Sequence, residues 1–165
     1  MTTQIDSANI PIDCNLNAGA LASSASFTTG WQSTVIQNTA GYIDCLVNSL
    51  VLTGNASIAP AVGAYIGIWL AGANVSFAGQ PIGGLNGTDS ACVLSYASTL
   101  NSLRFVGPAT AQVATAGLPY YIQPFSVAQQ FGGIMPKFWN LYVAHNLGAN
   151  LNALANRFSY NGITY

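Results

Sequence analysis

The 165-residue sequence is nearly without charge. It has no glutamate, and 4% of its residues are charged, whereas about 25% are charged in an ordinary globular domain. The four acidic and three basic side chains are Asp6, Asp13, Asp44, Asp89, Arg104, Lys137 and Arg157. Because nucleic-acid binding needs clustered Lys and Arg to neutralise phosphates, three dispersed cations exclude this class of function.

Histidine and cysteine are also scarce. Three cysteines stand far apart in the chain, at Cys14, Cys45 and Cys92. Their spacing fits no zinc or redox motif, and the odd number argues against a disulfide framework. Cys45 lies in an alternating apolar run, so we expect a small buried side chain there. No metal and no cofactor are expected.

The chain also lacks a recognisable catalytic set. Acid–base catalysis usually needs two titratable groups with separated pKa values, and no two aspartates share a local motif. Asp44 and Asp89 could meet in space, but isolated surface acids are the favoured interpretation. The sequence has no nucleophile motif with which His145 could form a catalytic triad, and His145 is expected to be half-buried or on the surface. The prediction is therefore a protein that is not an enzyme.

Targeting and membrane signals are absent as well. The first 13 residues have neither the basic region nor the apolar region of a secretory signal, which favours synthesis and folding in a reducing cytoplasm. The uncharged run Ile58–Gly79 is long enough to cross a bilayer. It contains Pro60, several glycines and alternating large residues, so we expect a strand there and no membrane partner.

What the sequence does contain is a series of short strand signals between Gly, Asn and Pro turns. Alternation is clearest in Val62–Ala71 and Phe138–His145. Gly41–Thr53 also alternates, and the parity free of Asp44 and Asn48 is expected to face the core. That parity holds Ile43, Cys45, Val47 and Val51. Further strands are expected at Trp31–Ile36, Ser90–Tyr96, Leu103–Val106, Tyr120–Phe125, Ser126–Phe131 and Ala153–Tyr160.

These signals predict an all-β fold, an antiparallel β-sandwich or jelly roll of about 8–10 short strands. Residues 1–30 are expected to form an extended N-terminal arm with one short strand near Ser24–Thr28. Residues 31–165 are expected to form a single sandwich domain. Within it, Gly79–Thr88 is predicted to be a long loop, and Gly107-Pro108 is predicted to break a strand.

Five aromatic residues are candidates for ligand contact: Trp31, Trp69, Trp139, Tyr120 and Tyr121. They could stack on sugars as in a lectin, but core packing is expected for Trp139 and for Trp69. Tyr120 and Tyr121 lie between Pro119 and Pro124 and are expected to be exposed. Exposed tyrosines are favoured at protein interfaces, so a subunit contact is preferred to a sugar site.

Four segments have a recognisable pattern: the strand-and-loop run Gly63–Gly72, the proline-led aromatic strand Ile134–Val143, the turn Asn146-Leu147-Gly148 and the closing run Asn156–Asn161. They resemble the strand-and-loop core, the aromatic strand, the turn and the closing strand of a family of small virion proteins of tailed bacteriophages, of the jelly-roll capsid cement or decoration type. The family's acidic Asp-Gly loop has no counterpart here, because Asn74–Asn86 contains no acid.

The resemblance implies a structural role on the capsid surface of a virion, with the major capsid protein of a phage shell as the partner. A nearly uncharged surface agrees, because charged groups are depleted in interface cores. Self-association as a dimer or trimer is expected to hide edge strands. Candidate partner contacts are Ile5, Ile10, Leu16, Pro81, Ile82, Tyr120 and Tyr121. The alternatives are a carbohydrate-binding module of a phage tail or adhesin and a structural protein of the neck or tail.

Overall fold

The structure is a computed structural model that describes residues 4–5, 8–12, 14, 21–48, 50–77, 82–151 and 158–164. The all-β prediction is confirmed, since antiparallel sheets form a sandwich-like arrangement. Among the described residues, no helix is both long enough and apolar enough to cross a bilayer.

The strands are short and follow one another with few helical turns. They are β1 (Gln4–Ile5), β2 (Ile10–Ile12), β3 (Thr29–Gln32), β4 (Ile36–Gln37), β5 (Asp44–Val47), β6 (Leu50–Thr53), β7 (Tyr65–Ala73), β8 (Ser90–Val93), β9 (Arg104–Thr110), β10 (Pro119–Ile122), β11 (Phe125–Ser126), β12 (Phe138–His145) and β13 (Phe158–Thr164). A 3₁₀ helix spans Ala97–Ser102, and the helix α1 spans Val127–Gln130.

In the described ranges the strands form three antiparallel sheets. The six-stranded sheet has the order β8-β3-β12-β7-β9, with β4 also paired to β12. The five-stranded sheet has the order β1-β13-β5-β11, with β2 also paired to β13. Strands β6 and β10 form a separate two-stranded ribbon. The two blocks that carry the family resemblance, Gly63–Gly72 and Ile134–Val143, therefore contribute the two neighbouring strands β7 and β12 at the centre of the larger sheet.

The main core lies between the six-stranded and five-stranded sheets. The larger sheet contributes Ile68, Trp139 and Leu141, and the smaller one contributes Val47 and Phe158, all essentially without solvent exposure. Trp139 meets the Tyr160 ring edge-on at 5.5 Å. This apolar burial between two sheets is the principal stabilising contribution that the sequence pattern predicted.

The outer face of the six-stranded sheet is also covered. Trp69 and Tyr142 point to this side, where loop residues Phe27, Phe77 and Leu85 pack on them in a second apolar cluster. The Tyr142 hydroxyl donates to the Phe27 carbonyl oxygen at 2.8 Å. A sheet buried on both faces needs strands that are apolar almost throughout, which explains the continuous apolar character of β7 and β12.

The run Gly41–Thr53 corrects the prediction of one strand with one core face. Cys45 and Val47 are buried as expected, but Val51 is exposed, and its neighbours Leu50 and Leu52 are buried instead. The run is divided into β5 and β6, which bury opposite parities. Because predicted runs such as this one are divided into shorter strands, the described residues contain more short strands than the predicted range of about 8–10.

The partner strands show the same change at the same place. Ile122 stands opposite Leu50 and Phe125 opposite Val47, so the register is unchanged between the β6–β10 and β5–β11 pairings. Ile122 and Phe125 are both buried although their positions have opposite parity. The β6–β10 and β5–β11 pairings therefore form one continuous register. Both of its chain segments exchange their inward-facing and outward-facing positions at the same place, where Pro124 interrupts the pairing.

The described residues within 1–30 take part in the fold. Strand β2 pairs with β13 of the same chain, Ile12 opposite Phe158, and β1 pairs with the end of β13. Cys14 and Leu21 are buried in the main core. The short strand predicted near Ser24–Thr28 is wrong, because that stretch turns before β3 begins.

Two further local predictions are wrong. Gly107-Pro108 does not end the strand, because β9 continues through these residues at the edge of the sheet. The pairing of β9 with the neighbouring β7 has an irregular register between Ile68 and Trp69. Edge strands tolerate proline, since its missing N–H faces away from the ladder. Ser126–Phe131 is not a strand throughout. The Ser126 hydroxyl accepts a hydrogen bond from the backbone amide of Gln129 at 2.9 Å and so caps the N-terminus of α1.

Candidate functional site

The two aspartates considered for catalysis have separate structural roles. An Asp44 side-chain oxygen accepts hydrogen bonds from the amides of Cys45 and Ala128, the latter at 2.8 Å, and so joins β5 to the start of α1. Asp89 accepts from the indole N–H of Trp31 at 2.6 Å, beside the other sheet. The two aspartates are therefore held by different hydrogen-bond partners, Asp44 by β5 and α1 and Asp89 by Trp31.

His145 is completely buried, which corrects the expected half-buried or surface position. Its Nδ1 accepts from the Leu147 amide at 3.3 Å, so Nε2 carries the proton and donates to the Leu21 carbonyl oxygen at 2.8 Å. Burial lowers the pKa of the imidazole, and the hydrogen bond to Leu21 acts in the opposite direction. The ring is a neutral cross-link between the end of β12 and the chain near Leu21.

The three thiols are unpaired and buried. Burial raises the pKa of Cys45 to about 12, with a contribution from nearby Asp44, and raises that of Cys92 to about 11. The pKa of Cys14 is raised further, again mainly by burial. In the part of the chain that the structure describes, no three His, Cys, Asp or Glu side chains come together as metal ligands. Thiol nucleophiles require the opposite surroundings, exposed and electropositive.

The aromatic candidates divide sharply. Trp31, Trp69 and Trp139 are all buried, so no tryptophan face is open to a sugar. Trp69 is covered by Phe105, with ring centroids 5.1 Å apart, and by Phe27. Of the five aromatics considered for ligand contact, Tyr121 alone is exposed.

The predicted exposure of the tyrosine pair is wrong for Tyr120 and confirmed for Tyr121. Tyr120 is 4% exposed and Tyr121 is 64% exposed. Strand β10 alternates, so Tyr120 points inward beside Ile122 and stands opposite buried Leu52, whereas Tyr121 points outward opposite Val51. The Tyr120 hydroxyl has no hydrogen-bond partner among the described residues, and burial raises its pKa. Ile122 at the same parity was the sequence signal that could have placed Tyr120 inside.

Tyr121 stands between two hollows in the surface, which together we call the Tyr121 groove. The larger hollow has a volume of about 290 Å³, and its lining includes Pro108, Thr110, Gln112, Pro119 and Tyr121. The smaller one has about 250 Å³, and its lining includes Val106, Pro108, Ile122, Pro124 and Tyr121. Pro108 and Tyr121 line both hollows.

The groove follows two strand edges. Strand β9 is the last strand of the six-stranded sheet, and β10 is an edge of the two-stranded ribbon. Within the described ranges the two strands are neighbours that belong to different sheets. The groove was not visible in the sequence because Gly107-Pro108 was predicted to end the strand, and the edge that continues past Pro108 is what forms the wall.

The groove is uncharged and has both apolar and polar lining groups. Among the described residues that line it there is no Asp, Glu, Lys, Arg or His. Its polar groups are those of Tyr121, Thr110, Gln112 and Gln123, together with backbone groups. Small-molecule pockets commonly have about 300–1,000 Å³, so each hollow lies at or just below the lower end of that range.

The remaining predicted contact residues lie elsewhere. Ile10 in β2 is half-buried against the main core, and Ile82 is half-buried against the second cluster, where it bridges Leu85. The Ile5 backbone pairs with Ile163 in β13. Leu16 and Pro81 lie outside the described residues. Among the predicted contacts that the structure describes, only Tyr120 and Tyr121 come together in the groove.

The site thus combines one exposed tyrosine with two hollows whose described lining residues carry no charge. Comparison with known proteins finds no matching family model, no matching curated protein and no matching solved structure.

Proposed function

We propose that this chain is a structural protein that works by packing against other proteins, as a cement or decoration protein on the capsid of a tailed phage. The observation that carries the proposal is the Tyr121 groove, an uncharged hollow surface beside an exposed tyrosine. Tyrosine is enriched among the residues that dominate binding at protein interfaces, and charged residues are depleted in interface cores.

The surface outside the groove supports the same role. Of the four charged residues in the described ranges, Asp44 and Asp89 are held by internal hydrogen bonds. Lys137 lies 5.7 Å from the Phe138 ring centroid, and Arg104 begins β9. Covering such a surface requires little desolvation of charge, and its contacts are expected to depend weakly on salt.

The mechanism in this proposal is mechanical. A sandwich placed over the joint between shell subunits adds buried apolar area, at about 25 cal/mol per Å² before the ordering of side chains offsets part of it. Repeated at every symmetry-related joint, this contribution resists expansion of the shell. Resemblance in β7 and β12 supports the assignment to the virion family, although these two strands are buried and concern the fold more than the contacts.

Binding to shells tests the proposal. Purified chain is mixed with assembled phage shells, or with unassembled shell subunits, and sedimented. Saturable recovery with assembled shells, at a fixed ratio to the shell subunit and little changed between low and high salt, is the expected result. Recovery only with unassembled subunits, or none with either, would contradict it.

The carbohydrate-binding alternative predicts a different result. A glycan array would then give a defined set of hits that disappear in Tyr121→Ala, since Tyr121 is the exposed member of the aromatic candidates. A structural protein of the neck or tail would instead be recovered with those parts of the virion and not with isolated heads.

A further inference from the structure

Two segments of the chain meet at the end of β12. Residues 21–24, which we call the strap, bond to His145 through the backbone, because the Ser24 amide donates to the His145 carbonyl oxygen at 2.7 Å. The Leu21 carbonyl oxygen accepts from Nε2 of the His145 ring at 2.8 Å, and the Leu21 side chain is buried in the main core. The backbone and the ring of one histidine therefore both hold the strap.

The second segment is residues 146–151, which we call the β12 loop. Its Leu147 amide donates to Nδ1 of the same ring at 3.3 Å. Two further amides of the loop reach the strap, Gly148 to the Ser23 hydroxyl at 2.9 Å and Leu151 to the Leu21 carbonyl oxygen at 3.3 Å. The histidine ring thus lies where the strap and the loop join, with one nitrogen bonded to each.

This junction requires a neutral ring. An imidazole nitrogen that accepts a hydrogen bond carries no proton, whereas both nitrogens carry one in the charged ring. Protonation of His145 would turn Nδ1 into a donor that faces the Leu147 amide, so two N–H groups would point at each other. The ring is also completely buried, so its charge would be out of contact with water. The closed junction and the charged ring are therefore incompatible.

The described elements around the ring contain few groups that could compensate a positive charge. The strap, the β12 loop and β3 have no titratable side chain, and β7 has one, Tyr65. Cys14 lies in the main core together with Leu21, and Asp89 already accepts from the Trp31 indole. Burial accordingly lowers the pKa of the imidazole, and the hydrogen bond to Leu21 opposes this lowering. The folded chain therefore resists a proton that the ring would accept in water below about pH 6.5.

We infer that His145 is a pH-sensitive latch, and that its protonation separates the strap from the β12 loop while the two sheets stay folded. Protonation removes the acceptor of the Leu147 amide, and the buried ring gains water only when the strap or the loop moves away. Neither segment is a strand in the described chain, so their separation breaks no ladder of a sheet. Strand β12 keeps its pairing with β7 from Phe138 to His145. Local opening of this kind costs less than global unfolding, and the latch does not depend on the proposed function.

Hydrogen exchange followed by NMR tests the latch in the wild-type chain. The reporters are the four amides that bond across the junction, those of Ser24, Leu147, Gly148 and Leu151. Their protection, relative to the intrinsic exchange rate at the same pH, should be constant above about pH 6.5. Below it, protection should fall by about tenfold for each pH unit until the pH reaches the lowered pKa of the closed state. The reason is that the open state has the ordinary pKa of histidine and binds the proton more readily.

The same measurement contains its own reference. The amides of Val35 and Gly54 bond to the carbonyl oxygens of Gly87 and Leu118, without any contact to the histidine, and they should keep their protection. At about pH 5 the reporters should have lost about 10- to 30-fold relative to these two. Reporter protection that does not change with pH, or an equal loss at the reference amides, would overturn the inference.

The imidazole can be followed separately, because His145 is the single histidine of the chain and gives one set of ring signals. At about pH 7.5 the ring nitrogens should show the neutral form with the proton on Nε2. On acidification the ring should titrate over the same pH range in which the four reporter amides lose protection. A ring that becomes charged while these amides stay protected would contradict the latch.

Two variants separate a latch from a merely structural contact. His145→Gln retains a donor and an acceptor but cannot titrate, so reporter protection should no longer depend on pH. Ser23→Ala removes the bond to the Gly148 amide and leaves the ring unchanged. The remaining reporters should then be less protected at every pH, with the same dependence below about pH 6.5. A steep pH dependence in folded His145→Gln would refute the inference. If that variant does not fold, Ser23→Ala and the ring titration still decide it.

Discussion

Strands β12 and β10 show how the same kind of residue serves two purposes. In β12, every side chain from Trp139 to His145 is buried, because one face meets the five-stranded sheet and the other meets the loop cluster. In β10, burial alternates, and Tyr121 remains exposed between two hollows. Aromatic residues in the first strand hold the fold together, whereas the outward tyrosine of the second remains on the surface.

The comparison teaches that composition alone does not distinguish a core aromatic from an exposed aromatic. Tyr142 and Tyr121 both belong to strands with apolar neighbours, yet one is fully buried and the other largely exposed. Their difference arises from the number of covered faces in the sheet, two around β12 and one around β10. If this is correct, substitutions at the two strands should separate loss of stability from loss of association.

The largest expected effect is that of Trp139→Ala. Removing this fully buried ring should lower the free energy of unfolding by about 3–5 kcal/mol, because a cavity is left between the two sheets. Chemical denaturation measures the loss. Val51→Ala on the ribbon, an exposed position, should change stability by no more than about 0.5 kcal/mol. Equal losses at the two sites would remove the distinction between the strands.

Gly30→Ala is expected to have the next largest effect. A Cβ at this position would lie 2.5 Å from the Val143 carbonyl oxygen and 2.6 Å from Tyr142 Cζ, so the backbone of β12 would have to move. Overpacking of this kind commonly costs about 1–3 kcal/mol. Thermal unfolding should show a clear decrease, and Thr29→Ala in the same strand should show a smaller one. An unchanged melting temperature would mean that β12 yields more readily than its burial suggests.

Acid should weaken the β12 end of the fold through His145. Its pKa is lowered in the folded chain, whereas the unfolded chain has the ordinary value near 6.5, so the unfolded state binds the proton more readily. The contribution of neutral His145 to the free energy of unfolding should therefore be fully present above about pH 6.5 and should decrease as the pH falls below that value. Denaturation between about pH 7.5 and 5 measures this slope. His145→Gln should be less stable at neutral pH but have a flatter profile, and an equally steep profile would assign the slope to other groups.

The smallest of these effects, and of opposite sign, is expected for Tyr120→Phe. The substitution removes a buried hydroxyl that has no hydrogen-bond partner in the described part of the chain, and it should raise the free energy of unfolding by about 1 kcal/mol. Tyr142→Phe provides the contrast, because it removes a hydroxyl bonded to Phe27 and should destabilise. A destabilised Tyr120→Phe would indicate a partner outside the described residues.

Much of the fold could be predicted from periodicity. Val62–Ala71 and Phe138–His145 correspond closely to β7 and β12, and the all-β architecture follows from such runs between turn residues. The helix α1 was missed although Ser126 and Gln129 have the spacing of a helix-capping pair, because nearby aromatics favoured a strand. The pair was the better local signal.

The groove could be predicted only in part. Tyr121 was identified by its proline neighbours and its residue type, and its exposure is confirmed. The hollows depend on how β9 passes Pro108 and on how the ribbon approaches it, and both are tertiary features without a local pattern. His145 was misplaced for a similar reason, since Leu147 is a local partner but Leu21 reaches the ring only when the chain near Leu21 packs against the end of β12.

The simultaneous change of inward-facing positions between the β5–β11 and β6–β10 pairings has a consequence for how the chain tolerates insertions. Because β5–β6 and β10–β11 reverse their inward faces in step, one added residue near Pro124 would bring the outward set of one strand against the inward set of the other. A compensating addition on the opposite strand would restore the match. Variation in length at this bend is therefore coupled between two segments that lie far apart in the chain.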